Sequence, residues 1–463
     1  MTNKIKTISC CLVILAGVNF LAKAIDKASA SYHDMATEHL FQNLKALGDA
    51  GLHLFGVANA FDISYKKLIH EYDGSTDCKD ITGSHPAFIE SDFEWYIHKE
   101  HKAKWATEAI REAYKQGIVV GYCYHLRGLK SNDFYAFKDN KKTEDSTLLQ
   151  DIVANPDRKA NKALDWYLHR LDSVVIPTFK ELGFPLIYRP FHEMTGGWFW
   201  WGTSCCTKDE FIKIYRLTVD YLRSNGVRNV LFAWSPDKSS DSTFYPGDEY
   251  VDIIGYDGYD VGLVDYNQIP AFVSNVAALA DFAQRHNKIV AITETGTGKL
   301  LEAPEYWTKN ILESLNADPK ASKVSWIMTW YSADWNKDNK GVNYIPYKGI
   351  EKKTNGDKAI DDFKKFYNDP ATVFQVDSLP LFATDNAELF IYPKNLTLTV
   401  GKKFTLIGGR KKDWSKNQVS WLSSDPSVVK VDAKGNIEAL KTGNTTITIK
   451  MGNKQASCIV VVQ

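Results

Sequence analysis

At 463 residues the chain exceeds what one ordinary core fills, so a large domain with a smaller companion is expected. A composition 44% apolar and 24% charged excludes a disordered or fibrous chain, and 56 basic against 56 acidic residues leave no overall charge to draw it to nucleic acid or an anionic membrane. With 13 Trp, 23 Tyr and 23 Phe, the chain has aromatics to spare for exposed platforms.

The first 30 residues read as a targeting segment and not as structure. "MTNKIK" is a short basic stretch, "TISCCLVILAGVNFLA" an apolar one, and Ala22-Lys23-Ala24 or Ala28-Ser29-Ala30 a small-x-small cleavage site. The apolar run is shorter than the ~20 residues a membrane span needs, and Asn19 interrupts it. A Sec signal is therefore expected, with a mature chain starting near Ile25 or Ser31 and a secreted, periplasmic or cell-surface location. The remaining cysteines, Cys78, Cys123, Cys205, Cys206 and Cys458, are odd in number, and their spacing fits neither a zinc site nor a disulfide framework.

Eight short apolar runs follow: "LHLFGVAN" from Leu52, "PAFIE" from Pro86, "GIVVGYCYH" from Gly117, "FPLIYRPF" from Phe184, "RNVLFAW" from Arg228, "VDIIGYD" from Val251, "KIVAITE" from Lys288 and "VSWIMTW" from Val324. Between them lie helical patterns such as "EFIKIYRLTVDYLRSNG", with apolar residues three and four apart and an Asn-Gly stop. Eight continuous apolar strands alternating with helices predict an α/β fold, a (β/α)8 TIM barrel over residues 31–370.

Beyond residue 370 the pattern changes. Residues 371–386 show no helical period and read as a linker, and residues 387–463 are strand and turn throughout. Period-two alternation in "TLTV", "VVKVD" and "TTITIK", with Gly and Asn turns between, predicts a small all-β immunoglobulin-like sandwich. "LTVG", "VSWLSSDPSVVKVDAKGNIEALKTGNTTIT" and the final "IVVV" resemble a bacterial immunoglobulin-like domain of group 2. Such modules mostly space or attach a catalytic domain. From Glu388 on there are 12 Lys or Arg against 5 Asp or Glu, which suits a cell-envelope or glycan contact.

"YRPFHEMTGGWFWWG", Tyr188 to Gly202, crowds Arg189, His192, Glu193 and several aromatics just past the fourth strand. Active sites of a barrel lie at the carboxyl ends of its strands, and "KIVAITE" puts Glu294 at the same mouth. Two carboxyl groups facing each other there are what glycoside hydrolysis requires: one protonates the leaving oxygen and the other attacks the anomeric carbon. Trp198, Phe199, Trp200, Trp201, Trp234, Trp330 and Trp335 all follow or end strands, and indole planes bind the C–H face of a sugar; the seven are therefore read as a carbohydrate cleft.

"YRPFHEMTGGWFWWG", "WSPD....TFYPGDEYVDIIGYDGYD" and "ITETG" resemble the motifs of glycoside hydrolase family 26, chiefly β-mannanases. The resemblance implies double displacement with retention, Glu193 as acid/base and Glu294 as nucleophile. It further implies that His192 and His125 contact the sugar around the scissile bond, that Trp198 lies beside the acid, that Tyr259 hydrogen-bonds the nucleophile and holds it ionised, and that Trp330 is the stacking platform. Arg189, as a substrate contact or as a salt bridge under the site, and Asp257 belong to the same motifs, as does Asp252, which is open to a merely orienting role. No metal or organic cofactor is implied: there is no Gly-rich phosphate loop, His and Cys do not cluster, and no G-x-S-x-G elbow appears.

Two departures stand out. "FGVANAFDISY" replaces the "FGHQ"-like segment of many family mannanases, and Tyr331 stands where an arginine is common. The expected partner is β-mannan or a related plant cell-wall polysaccharide, cut by a monomer. A β-1,3-1,4-glucanase, a β-1,3-xylanase or a non-catalytic glycan binder on the same scaffold are the alternatives.

Overall fold

The computed structural model describes residues 32–463 except 66, 69–71, 95–99, 334–342, 376–380, 383–388, 393–394 and 411–418. The leader read over residues 1–30 and Trp335 therefore lie outside the described residues. Eight parallel strands form the first domain: β1 (His53–Ala58), β2 (Phe88–Asp92), β3 (Val119–Cys123), β4 (Leu186–Arg189), β5 (Val230–Trp234), β6 (Ile253–Tyr259), β7 (Ile289–Gly296) and β8 (Trp326–Thr329). Each pairs with its neighbours in the chain, and β8 closes on β1 with Leu54 opposite Trp326 and Phe55 opposite Ile327.

Period two sorts the side chains. Leu54, Phe88, Val119, Ile187, Leu231, Ile253 and Ile289 share one cluster inside the barrel, while their neighbours Phe55, Ile89, Val120, Tyr188, Phe232, Ile254 and Val290 join the larger core under the helices. Helix α1 (Met35–Asp49) contributes Leu40, Phe41, Leu44 and Leu47 to the inner cluster, so it seals the end where the strands begin and leaves the carboxyl end as the open mouth. On the outside, the run that reads as a helix before Asn225-Gly226 is α2 (Lys208–Ser224), started by a reciprocal Thr207–Glu210 capping box and packed through Phe211, Ile214, Tyr215 and Val219.

One boundary differs from the sequence reading. The stretch expected to be a linker begins with β9 (Thr372–Val373), which pairs in parallel with His53 and Leu54 of β1. Phe374 is buried, Leu381 is buried in the inner cluster, and Asn43 Nδ2 donates to the Leu381 carbonyl at 2.7 Å. The lack of a helical period in "ATVFQV" marks a short strand and not an unpacked tether.

The second domain contains β10 (Leu389–Tyr392), β11 (Asn395–Leu398), β12 (Lys403–Thr405), β13 (Ile407–Arg410), β14 (Ser420–Ser423), β15 (Val429–Val431), β16 (Asn436–Ala439), β17 (Gly443–Met451) and β18 (Lys454–Val462). A four-stranded sheet, β11-β18-β17-β14, and a three-stranded one, β12-β16-β15, enclose Trp421, Ile437, Ile447, Ile449, Cys458 and Val460. All five remaining cysteines are buried free thiols, and no described helix is long and apolar enough to cross a membrane.

Candidate active site

Alternation along β4 points Ile187 and Arg189 into the barrel and Tyr188 out. The Arg189 guanidinium has no exposure and is shared among three carboxyl groups at the mouth. It donates to Glu90 at 3.1 and 2.6 Å, to Asp257 at 2.8 Å and to Glu294 at 2.6 Å. Burial works against its charge, yet Glu90, Asp257 and Glu294 together hold its pKa well above the usual arginine value. Glu90 and Asp257, enclosed by the same burial, are nonetheless pushed up, with Arg189 the chief counterweight.

Glu294 reaches this centre through an irregularity. Strand β7 pairs with β6 in register up to Tyr256 opposite Ile292, then slips so that Asp257 lies opposite Glu294. The slip passes over Thr293, whose hydroxyl donates to Asp257 Oδ1 at 2.6 Å, and it lets two successive side chains turn toward the barrel axis. Gly255 makes room beneath: a Cβ there would stand 2.3 Å from Thr293 Oγ1. The second oxygen of Glu294 accepts from the Tyr259 hydroxyl at 2.6 Å.

Glu193 arrives by a different route. Past β4 the backbone turns left-handed at Phe191 (φ 53) and again at Glu193 (φ 55), a conformation non-glycine residues seldom adopt. The Glu193 amide donates to the Ser235 carbonyl at 2.7 Å, which ties the turn to the end of β5. One carboxyl oxygen accepts from Trp198 Nε1 at 2.9 Å. Burial first, then Glu294, Asp257 and Asp237, push the Glu193 pKa well above the usual carboxylate range. An oxygen from each of Glu193, Asp257 and Glu294 lies within 4.8 Å of the others. Arg189 already meets the charge of two of these three, and Glu193 is pushed toward its neutral form, so the cluster lacks the anionic character of a cation cage.

Two histidines line the next wall. Asp92, at the end of β2, accepts from the His125 amide at 3.1 Å and contacts His125 Nδ1 at 2.6 Å. Burial would depress the His125 imidazole, but Asp92, Glu294 and Glu94 outweigh it and raise its pKa. His192 faces it, Nε2 to Nε2, at 3.1 Å and is driven well below its usual value by burial, Arg189 and His125. Of the two, His125 is therefore the one that takes up a proton more readily. Cys123 beside them is buried, with its thiol pushed well up chiefly by that burial.

These groups border a cleft of 340 Å³ at the mouth, to which His125, His192, Glu193, Trp198, Tyr259, Glu294 and Trp330 all contribute. Larger concavities exist on the sandwich, 650 Å³ around Lys403 and Lys430, and at the closed end of the barrel, 410 Å³ around His33 and Asp252. Their carboxylates, Asp432 and Glu438 in the first and Glu38, Asp248, Glu249 and Asp252 in the second, include neither Glu193 nor Glu294, which only the cleft brings together among these three.

Of the two readings of Arg189 the structure carries the salt bridge under the site, and Asp257, without exposure, is one of its partners and no substrate contact. Other expectations change. Trp200 and Trp201 are fully buried braces, their indoles donating to the carbonyls of Leu126 and His192. Trp234 alternates outward from Ala233 into the core under the helices. Phe199 keeps only an edge at the cleft and stacks on Trp201, with ring centres 4.4 Å apart. Asp252 stands at the far end of β6, accepting from the Phe232 amide and contacting His33.

Residues that the sequence reading passed over are Glu90, Asp92, Tyr135, Asp237, Lys238 and Tyr344. Glu90 and Asp92 had a signal: they are alternate carboxylates closing a strand, like Glu294. Tyr135 and Lys238 sit in loops without periodicity. The two departures from the family pattern meet in one place, where Ile63 and Tyr331 pack with Ala333 against Trp330.

Residues 30–348 match the family model "Glycosyl hydrolase family 26", and residues 390–460 match "Bacterial Ig-like domain (group 2)". A mannan endo-1,4-beta-mannosidase of Bifidobacterium adolescentis is 30% identical over 364 residues, 71% of this chain and 34% of that protein. One of Thermothelomyces thermophilus is 28% identical, covering 47% of this chain and 44% of its own. The chain thus spans less than half the length of these curated relatives. Among solved structures, a GH26 beta-mannanase from Bacteroides ovatus aligns with a TM-score of 0.63 at 26% identity, covering 76% of this chain and 98% of its own. The catalytic domain of a Bacillus sp. JAMB-750 endo-beta-1,4-mannanase gives 0.65 at 25% identity, covering 76% and 94%.

Proposed function

Because the chain belongs to glycosyl hydrolase family 26, we propose that it is an exported endo-β-1,4-mannanase that cleaves mannan, glucomannan or galactomannan with retention of configuration. The observation that carries the reading is the opposed pair at the barrel mouth. Glu193 and Glu294 each bring an oxygen within 4.8 Å of the other's, an approach that suits a retaining pair, whose carboxyl groups stand ~5–5.5 Å apart.

The two groups have different surroundings and hence different work. Glu193, kept protonated by burial and neighbouring carboxylates, gives its proton to the glycosidic oxygen as that bond breaks. Glu294, fixed by Arg189 on one oxygen and Tyr259 on the other, attacks the anomeric carbon and forms a glycosyl ester. Glu193, now a carboxylate, takes a proton from water, whose oxygen displaces Glu294 and restores the pair. Trp330 supplies a face for the sugar ring and His192 a neutral imidazole edge, so neither puts a charge against an uncharged substrate. Export is supported by the leader pattern of the first 30 residues.

Reducing-sugar release from linear mannan, glucomannan, galactomannan, mixed-linkage β-glucan and β-1,3-xylan, with Glu294→Ala beside the parent, tests the assignment. A ladder of manno-oligomers from the parent and none from the variant is expected. Release from β-glucan alone would move the substrate to a second reading, which the 26% identity to a protein named endoglucanase H from Acetivibrio thermocellus favours. Activity of Glu294→Ala within tenfold of the parent would sink the mechanism.

A further inference from the structure

The cleft has two ends, and the histidine–Trp330 wall accounts for one of them. The His125 and Trp330 ring centres are 5.6 Å apart, on the side where the sugar attacked by Glu294 rests. The leaving group must depart past Glu193, the acid, and so past Trp198, whose indole holds that acid. Beyond Trp198 stands Lys238. Its ammonium lies 5.3 Å from the Trp198 ring centre, 5.5 Å from that of Tyr266 and 2.6 Å from Asp237 Oδ1.

Both residues are held there by backbone, at some cost. Lys238 adopts a positive φ of 40, and its amide donates to the Asp257 carbonyl at 2.7 Å, directly behind the ionic centre. Tyr266 belongs to a single turn, Asp265–Asn267, pinned by buried Asn267, which donates to the Tyr259 carbonyl at 2.7 Å and accepts from Tyr256. That anchor leaves Tyr266 69% exposed, the most exposed Phe, Trp or Tyr among the described residues. A large, mostly exposed ring fixed next to a cation has the form of a stacking surface.

Taking the mannanase reading as its basis, we infer that Lys238 and Tyr266 continue the cleft into a binding site for the leaving-group sugars, with Tyr266 the stacking platform for the second sugar beyond the scissile bond. One ammonium between the Trp198 and Tyr266 rings spaces them by no more than about the length of a disaccharide. The paired Asp237 and Lys238 offer an acceptor and a donor to hydroxyl groups while adding no net charge, which suits a neutral glycan.

The test compares two substrates on the full chain. Mannopentaose places sugars on both sides of the bond; an aryl β-mannotrioside, releasing a phenol, places none beyond it. Tyr266→Ala should lower kcat/KM on mannopentaose roughly fivefold and shift cleavage toward the reducing end, while leaving the aryl glycoside unchanged. Tyr266→Phe should restore the parent values, since stacking needs the ring and not the hydroxyl. Equal losses on both substrates, or no loss on mannopentaose, would overturn the site. A parent inactive on both is a different failure, that of the mannanase reading itself.

Discussion

Replacing Arg189 by methionine isolates what one buried cation does for three carboxyl groups. The substitution keeps much of the side-chain volume and leaves Glu90, Asp257 and Glu294 facing one another without exposure to water sufficient to screen them. Removing one partner from a buried ion cluster costs about 3–5 kcal/mol, because the charges left behind have nothing to answer them. For a domain of this size, with ~2.1 cal/mol/K of unfolding entropy per residue, that is a fall in Tm of about 4–7 °C. The pH dependence carries the stronger test. Glu90 and Asp257 are already pushed up by burial, with Arg189 holding them down, so its loss raises them further. A carboxyl group raised above its unfolded value takes up a proton on folding: its penalty is absent below the unfolded pKa, ~4, and grows by ~1.4 kcal/mol per pH unit until the folded value is reached. The Tm deficit of Arg189→Met, followed calorimetrically from pH 8 to pH 4.5, should therefore shrink toward acid. A Tm within about 1 °C of the parent at pH 7.5, or a deficit that grows on acidification, would refute the view of Arg189 as the counter-charge.

Other outcomes follow from the same structure. Trp198→Phe removes an N–H that favours the ionised form of Glu193, so, with Glu193 as the proposed acid, the alkaline limb of kcat/KM should move to higher pH; a limb that stays or falls refutes that link. Asp92→Asn takes away the carboxylate that raises His125. A raised histidine stabilises below its unfolded value of about 6.5 and stops doing so as pH climbs through the folded value, so the variant should lose Tm at pH 5 and little at pH 9. Leu381→Ala should lower the barrel's Tm by about 3–6 °C, from a cavity cost of about 2–4 kcal/mol, whereas a residue in an unpacked tether would change nothing.

Most of this architecture was legible because a barrel writes itself twice, in strand alternation and in what ends each strand. The eight runs are the eight strands, and the carboxylates expected at the mouth, Glu193 and Glu294, meet there. The tryptophans misled for an equally physical reason. Proximity to a strand end does not say which way a ring turns: Trp234 takes the outward phase of β5, and Trp200 and Trp201 fold back beneath the turn they follow. Parity could have separated Trp234, since Ala233 and Leu231 claim the inward positions. It could not have found Tyr135 or Lys238, whose placement depends on long-range contacts: the bridge between Tyr135 and Phe199, and the bond from Lys238 to Asp257.

The different surroundings of Glu193 and Glu294 come down to which of them Arg189 can reach. Strand parity buries the arginine one step below the rim, and its fork is filled by groups that enter from β2, β6 and β7. Glu294 enters only because the slip at Thr293 adds a second inward position to β7; with regular pairing it would share the outward phase of Ile292 and Val290. Glu193 escapes the same fork because the two left-handed residues after β4 lift it over the rim, where Trp198 is its donor and the surrounding carboxylates oppose its charge. Two identical side chains thus acquire opposite surroundings from a bulge on one strand and a strained turn on another, and the roles proposed for them rest on that contrast. The left-handed backbone at Phe191 and Glu193 is tolerated because the Ser235 carbonyl and the Trp201 indole clamp the turn from both sides.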